Sequence, residues 1–264
     1  MNDTFSAHRL WLLLRGDFIA GWRSLMMISG ALAGVVLAAA MVAPDYHAFD
    51  ADLNDNPSFH RALFTAALFV WGIVASSRAF RPLHDKTRNE AWLLLPATAL
   101  EKTAARLLAV TVGLVAWLLV FFTMVSVVVE SLNLLLVGKR HAFFDPFDPI
   151  VRERVSLYVV LQSLYFLGAA WFRRAHFIKT TLAITVAAIG LVALAVITFR
   201  ITFGDIPMDV HLRTRNLSYV LDVAPWLHSG TADAALLTFK VLLPVACWCI
   251  AWMRVAESQV SDGV

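Results

Sequence analysis

Long apolar segments constrain the fold of this chain more than any other feature. A helix needs about 20 apolar residues to cross the hydrocarbon core of a bilayer. The chain has 264 residues, of which 59% are apolar and only 16% charged, which excludes a disordered chain and argues against a water-soluble globule. Six segments of spanning length hold at most one charged residue each, at about 24–43, 62–80, 104–129, 155–172, 180–199 and 234–253.

These segments lack the alternation of apolar and polar residues that marks the strands of a membrane barrel. We therefore predict an all-α fold, a polytopic membrane protein with six transmembrane helices in a single domain over residues 1–264. If both termini are cytoplasmic, 13 basic residues fall on the inner side and nine on the outer side. This bias predicts an integral protein of the plasma membrane, a bacterial inner membrane, with both termini in the cytoplasm.

The residues before the first apolar segment predict an additional helix over about 5–23. At 100° per residue, Trp11, Phe18 and Trp22 lie in one arc of this helix, and Arg9 and Arg23 collect on the other side. Such a distribution is typical of a helix lying in the membrane interface, with tryptophan at headgroup depth. A cytosolic helix packed against other protein is the alternative.

The connection between the second and third apolar segments has strong local signals. Pro82 is expected to end the second spanning helix. Residues 83–95 then predict a short cytoplasmic helix, polar first and apolar after, which Pro96 stops. Thr98 and Glu101 form a capping-box pattern, which predicts a new helix that begins near Ala99 and continues into the third span. A well-capped loop without a partner is the alternative to a docking element.

Residues 86–102, which read KTRNEAWLLLPATALEK, resemble the first cytoplasmic loop of type-2 ATP-binding-cassette (ABC) permeases. The shared pattern is a charged run, a leucine-rich stretch, a proline, a small residue, a serine or threonine, and a glutamate three positions later. The predicted topology resembles that family as well. One departure is Ala91-Trp92, which stands where the family often has a Gly-Thr pair.

The resemblance implies a permease subunit of an ATP-driven exporter that does not itself hydrolyse ATP. It implies a cytosolic ATP-binding cassette ATPase subunit as partner, together with a second permease copy or a paralogue. Residues 83–95 would be the coupling helix. The residues that would touch the ATPase subunit are Leu83, His84, Asp85, Arg88, Glu90 and Trp92.

The sequence agrees that ATP is bound elsewhere, so no cofactor is expected in this chain. Gly138-Lys139 is followed by Arg140 and lacks the upstream glycine of a phosphate-binding loop. No basic tract is long enough to predict a nucleic-acid partner. No catalytic residue or metal ligand set is expected, since no histidine falls inside a predicted span and no acidic residue lies in the middle of one.

Lys240 is the charged residue of the last predicted span. Its long side chain is expected to reach the outer interface, and contact with an anionic lipid headgroup is the sharper alternative. Three other functions compete with the exporter: an ion-coupled secondary carrier, a membrane-embedded enzyme, and a non-transporting scaffold that recruits a cytosolic protein. The missing mid-span acid disfavours the carrier.

Overall fold

A computed structural model describes residues 5–42, 58–84, 95–137, 143–172, 175–202 and 230–261. Every element in this part of the chain is helical, which confirms the predicted all-α class. In chain order the helices are α1 (Ala7–Val42), α2 (Ser58–Ser77), α3 (Arg81–His84), α4 (Ala99–Leu108), α5 (Leu114–Val137), α6 (Pro149–Trp171), α7 (His176–Thr202) and α8 (Gly230–Ser261).

One π-helical turn, Ala109–Gly113, joins α4 to α5 without a break in the helix. The helix therefore runs from Ala99 to Val137, which is long enough to pass through a bilayer and extend beyond it. Helix α1 has a similar length, with 36 residues. At about 1.5 Å per residue, each is roughly 55 Å long, against about 30 Å for the hydrocarbon core.

Side-chain contacts show that α1 and the α4–α5 helix run in the same direction. Arg9 of α1 pairs with Glu101 near the start of α4, and further along the indole of Trp117 donates to the hydroxyl of Ser29. We call the end of the bundle where α1 begins the N-terminal end, and the other end the opposite end.

The remaining long helices alternate in direction. Helix α2 runs against α5, and α6 runs alongside α2. Helix α7 returns beside α6, and α8 again runs parallel to α6. The pairs between α2 and α5 are His60–Glu130 and Phe64–Phe122, and those between α2 and the α6 region are Arg61–Asp148 and Phe80–Phe166. Tyr165–Phe177 joins α6 to α7, and Trp171–Arg254 joins α6 to α8.

Helix α6 is the central helix of the bundle and packs against α2, α7 and α8. Glycines permit two of these close approaches. A Cβ on Gly72 of α2 would collide with the ring of Tyr158, and a Cβ on Gly168 would collide with the side chain of Thr180 on α7. Two apolar clusters fill the interior, one around Phe64, Phe122 and Tyr158 and the other around Phe80 and Phe166.

Five segments in the described part are long and apolar enough to cross a membrane. The predicted membrane class is therefore supported, but the predicted number of six spans is not established. The predicted span that is not among the five, at 155–172, lies in α6, a helix of 23 residues whose first turns carry Arg152, Glu153 and Arg154. The five segments are Ala7–Ala38, Phe59–Leu83, Ala99–Leu135, His176–Thr198 and Leu237–Ser258.

The predicted boundaries need two corrections. The interfacial helix at 5–23 and the first span at 24–43 are not separate elements, because α1 continues through both. Helix α2 ends at Ser77, before Pro82, and Pro82 lies in the short helix α3. Proline is accepted there because the first residues of a helix need no amide donor.

Candidate functional site

The start of α4 has the capping box that the sequence predicts. Thr98 is the N-cap, and its hydroxyl accepts from the backbone N–H of Glu101 at 3.2 Å. The carboxylate of Glu101 accepts in return from the backbone N–H of Thr98 at 2.9 Å. Two of the amides that a helix start leaves unpaired are thus satisfied, which fixes where α4 begins.

Glu101 has a second role that the capping pattern does not show. Its side chain is fully buried, and Oε1 also accepts from the backbone N–H of Ser6 at 2.6 Å and pairs with the guanidinium of Arg9 at 3.0 Å. A buried carboxylate is stable only when it is paired and hydrogen-bonded. Glu101 therefore ties the first turn of α1 to the first turn of α4.

A second ion pair joins the same two helices further along. The guanidinium of Arg106 on α4 lies 3.2 Å from the carboxylate of Asp17 on α1, and both side chains are 28% exposed. Because the two helices are parallel, the pairs of Glu101 and Arg106 hold them side by side over about two turns. The N-terminal part of α1 and helix α4 thus form one unit.

Past α4 the helix widens into the π-helical turn Ala109–Gly113. A π turn leaves carbonyl groups without their usual helical donors, and such turns are frequent at functional sites. Here the hydroxyl of Tyr158 on α6 donates to the carbonyl oxygen of Val110 at 2.7 Å, and the Tyr158 side chain is fully buried. The central helix therefore supports the α4–α5 helix at the position where its geometry changes.

The six predicted ATPase-contact residues are only partly visible. Leu83 lies in the apolar core of the chain itself, 6% exposed, in the cluster that contains Phe80 and Phe166. His84 is the last residue of α3. Asp85, Arg88, Glu90 and Trp92 lie outside the described residues, as does most of the predicted coupling helix at 83–95.

The opposite end contains a buried polar pair that the sequence analysis missed. His60 Nε2 lies 3.0 Å from Glu130 Oε1, and the two side chains are 3% and 0% exposed. Next to His60, Arg61 pairs with Asp148, the N-cap of α6, at 3.0 Å. His60 and Glu130 lie near the ends of apolar segments long enough to span a membrane, outside the boundaries predicted for the second and third spans.

Two further polar side chains lie along the helices. Lys240 is exposed on α8, one turn before the internal Pro244. Gln162 lies at the centre of α6, fully buried, and neither polar atom of its side chain has a hydrogen-bond partner in the described part of the chain.

No group of three or more histidine, cysteine, aspartate or glutamate side chains that could hold a metal ion is found among the described residues.

Sequence reasoning identified Thr98 and Glu101 but missed the partners of Glu101. Arg9 was placed on the water-facing side of an interfacial helix, whereas the structure turns it toward α4. A signal was available, since Arg9 and Asp17 are two turns apart on α1 and Glu101 and Arg106 five residues apart on α4. The order of the charges is opposite on the two helices, basic then acidic on α1 and acidic then basic on α4, which allows lateral pairing when the helices are parallel.

Comparison of the chain with known protein families, with curated proteins and with solved structures finds no significant match.

Proposed function

We propose that this chain is the transmembrane permease subunit of an ATP-driven exporter, coupled to a separate cytosolic ATPase subunit. In this proposal α6 is the sixth span, and two permease copies, or one copy and a paralogue, enclose the pathway. Helix α6 is less apolar than the other long helices; Gln162 and Ser163 are buried in the bundle, whereas the charged residues of its first turns, at 152–154, are exposed at the opposite end. A helix in this position does not need an apolar surface toward lipid.

One observation carries the proposal: α1 and α4 are tied together by buried polar contacts, and both continue into spans. The segment 85–94 comes directly before Thr98 and α4. A force applied to that segment by a closing ATPase would enter the first and third spans together. The α1–α4 unit would carry the force, and the π turn supported by Tyr158 would be the place where the spans can respond.

The charge distribution supports a cytoplasmic N-terminal end. Nine basic and three acidic residues lie in the described part of that end, whereas the opposite end has four basic and five acidic residues, apart from Lys240 on α8. An excess of arginine and lysine is typical of the cytoplasmic side of membrane proteins. In this proposal the predicted coupling segment and both chain termini are in the cytoplasm, where the ATPase would be.

Co-purification tests the proposal directly. A tagged chain is purified from its native host, and the bound proteins are identified and assayed for ATP hydrolysis. We expect an ATPase subunit with a phosphate-binding loop, and we expect Glu90→Ala or Trp92→Ala to weaken its binding. Glu153→Ala at the opposite end is the control and should not affect binding. If no ATPase is recovered, and Glu90 and Trp92 can be replaced without loss of transport, the proposal is refuted.

The buried pair His60–Glu130 favours a second function, an ion-coupled carrier. Buried titratable groups within membrane segments are common in proton pathways. In reconstituted vesicles this function predicts transport driven by a proton gradient without ATP, and loss of that transport in Glu130→Gln. Transport that requires ATP and persists in Glu130→Gln would exclude it.

A further inference from the structure

Basic side chains form a band around the N-terminal end of the bundle. We define the basic belt as the exposed side chains of Arg15, Arg23, Arg78, Arg81 and Lys179. They come from α1, from the turn between α2 and α3, from α3 and from α7. The belt is therefore distributed over several sides of the bundle and is not confined to one face.

Several belt residues lie directly at the edge of an apolar helix. Arg23 precedes the uncharged part of α1, Arg78 follows the last residue of α2, and Lys179 precedes the apolar part of α7. Because these helices alternate in direction, all three edges face the N-terminal end of the bundle, and Arg23 lies further along it, next to Trp22, whose ring contacts Trp117. We assign this zone to the region where the hydrocarbon core of a bilayer gives way to headgroups.

The acidic residues at this end do not neutralise the belt. In the described part of the chain, Glu101 is buried against Arg9, Asp17 pairs with Arg106, and Glu257 pairs with Arg254. Each acid therefore has a basic partner outside the belt. The positive charge of the five belt residues stays available to a ligand.

Exposed tryptophans accompany the belt. Trp22 is 42% exposed next to Arg23, and Trp171 is 55% exposed, with the guanidinium of Arg254 lying 5.2 Å from the centre of its ring. Tryptophan with arginine at the end of an apolar helix is typical of the membrane interface, where the indole ring lies at headgroup depth.

From this arrangement we propose that the basic belt binds the phosphate groups of anionic phospholipids in the leaflet that surrounds the N-terminal end. A single protein partner would contact one side of the bundle, whereas a lipid leaflet meets α1, α3 and α7 at once. Each lysine or arginine near an anionic membrane surface favours association by about fivefold. The proposal requires only the membrane location and does not depend on an ATPase partner.

Spin-labelled lipids test the proposal on the full chain. The protein is reconstituted into phosphatidylcholine vesicles with either spin-labelled phosphatidylglycerol or spin-labelled phosphatidylcholine, and the motionally restricted fraction of each label is measured. We expect the protein to prefer the anionic lipid by about two- to fivefold. We expect the preference to fall toward one as salt rises from about 0.05 to 0.5 M, because exposed charges are then screened.

Two triple variants with equal loss of charge locate the effect. In the belt variant, Arg23→Gln, Arg81→Gln and Lys179→Gln are combined, and the preference should fall to near one. The matched control combines Arg152→Gln, Arg154→Gln and Arg200→Gln at the opposite end and should keep the preference. The salt titration needs only the unmodified protein, so it decides even if a variant folds poorly. The proposal would be overturned if the two spin-labelled lipids were restricted equally by the unmodified protein. It would also be overturned if the control variant lost the preference for the anionic lipid while the belt variant kept it.

Discussion

Glu101 should be the most important charged residue for the stability of the N-terminal end. In Glu101→Ala the capping box is lost, which costs about 1 kcal/mol in free energy of unfolding. The backbone N–H of Ser6 and the guanidinium of Arg9 also lose their acceptor. Arg9 is 33% exposed and can return to water, so we assign about 1–2 kcal/mol to these two contacts together.

The total of about 2–3 kcal/mol corresponds to a fall in Tm of about 5–10 °C for a chain of this size. The first measurement is thermal unfolding of the purified protein in one detergent. The second, separate measurement is the hydrogen-exchange rate of the backbone amides in α4. Those amides should exchange faster in the variant, because the start of α4 is no longer capped. Glu101→Gln keeps an acceptor oxygen and should lose about half as much.

Glu257→Ala is a matched control for Glu101→Ala. Glu257 pairs with Arg254 at the same 3.0 Å separation and at the same end of the bundle, but its side chain is 67% exposed. An exposed pair of this kind contributes about 0–0.5 kcal/mol, so Tm should change by less than about 2 °C. If the two alanine variants shift Tm equally, burial does not determine the role of Glu101 and the reasoning is refuted.

Three further substitutions test the interior of the bundle. Tyr158→Phe removes the donor to the carbonyl of Val110 and should cost about 1–2 kcal/mol, with faster hydrogen exchange confined to the π turn; unchanged exchange there would contradict it. Gly72→Ala places a methyl group against the Tyr158 ring and should cost at least about 1–3 kcal/mol; size-exclusion chromatography should show aggregation, and a normal profile with unchanged Tm would refute the close contact. Glu130→Gln weakens the pair with His60 and should reduce the free energy of unfolding by about 1–2 kcal/mol, which lowers Tm by a few degrees. An unchanged Tm would mean that the pair does not stabilise the bundle.

The sequence predicts the helical class and the approximate place of each long helix, because apolar runs of spanning length allow few other folds. It does not predict the helix ends. Helix α7 begins four residues before its predicted span and ends three residues after it, at Thr202. A hydropathy pattern marks where the membrane ends, whereas a helix ends where its capping groups are, and these need not coincide.

The break predicted after Arg23 illustrates the same limit. The composition changes there from amphipathic to wholly apolar, but no proline interrupts the chain, and α1 continues through Ser24. Conversely, an Asp-Pro step can form a turn or begin a helix, and Asp148-Pro149 is the N-cap and first residue of α6. An aspartate followed by proline is compatible with both, and only the packing of α6 against α2 decides between them.

The polar contacts between helices could not be predicted in the same way. His60 and Glu130 are 70 positions apart, each near the end of an apolar run, where a charged residue is normally interpreted as facing the headgroups. Their pairing depends on the register of α2 against α5, which the aromatic contacts of Phe64 with Phe122 and Phe144 help to set. A single sequence does not contain that register.

The buried charges of the bundle form two layers, one at each end. Glu101 anchors the layer at the N-terminal end, and Glu130 anchors the layer at the opposite end. Breaking either layer would leave a buried polar group without its partner, which is costly. Between the layers the α4–α5 helix meets apolar side chains and the hydroxyls of Ser29 and Tyr158. In the proposed exporter, a transport cycle that keeps both layers intact would rearrange the bundle between them, and the π turn at Ala109–Gly113 lies in that region.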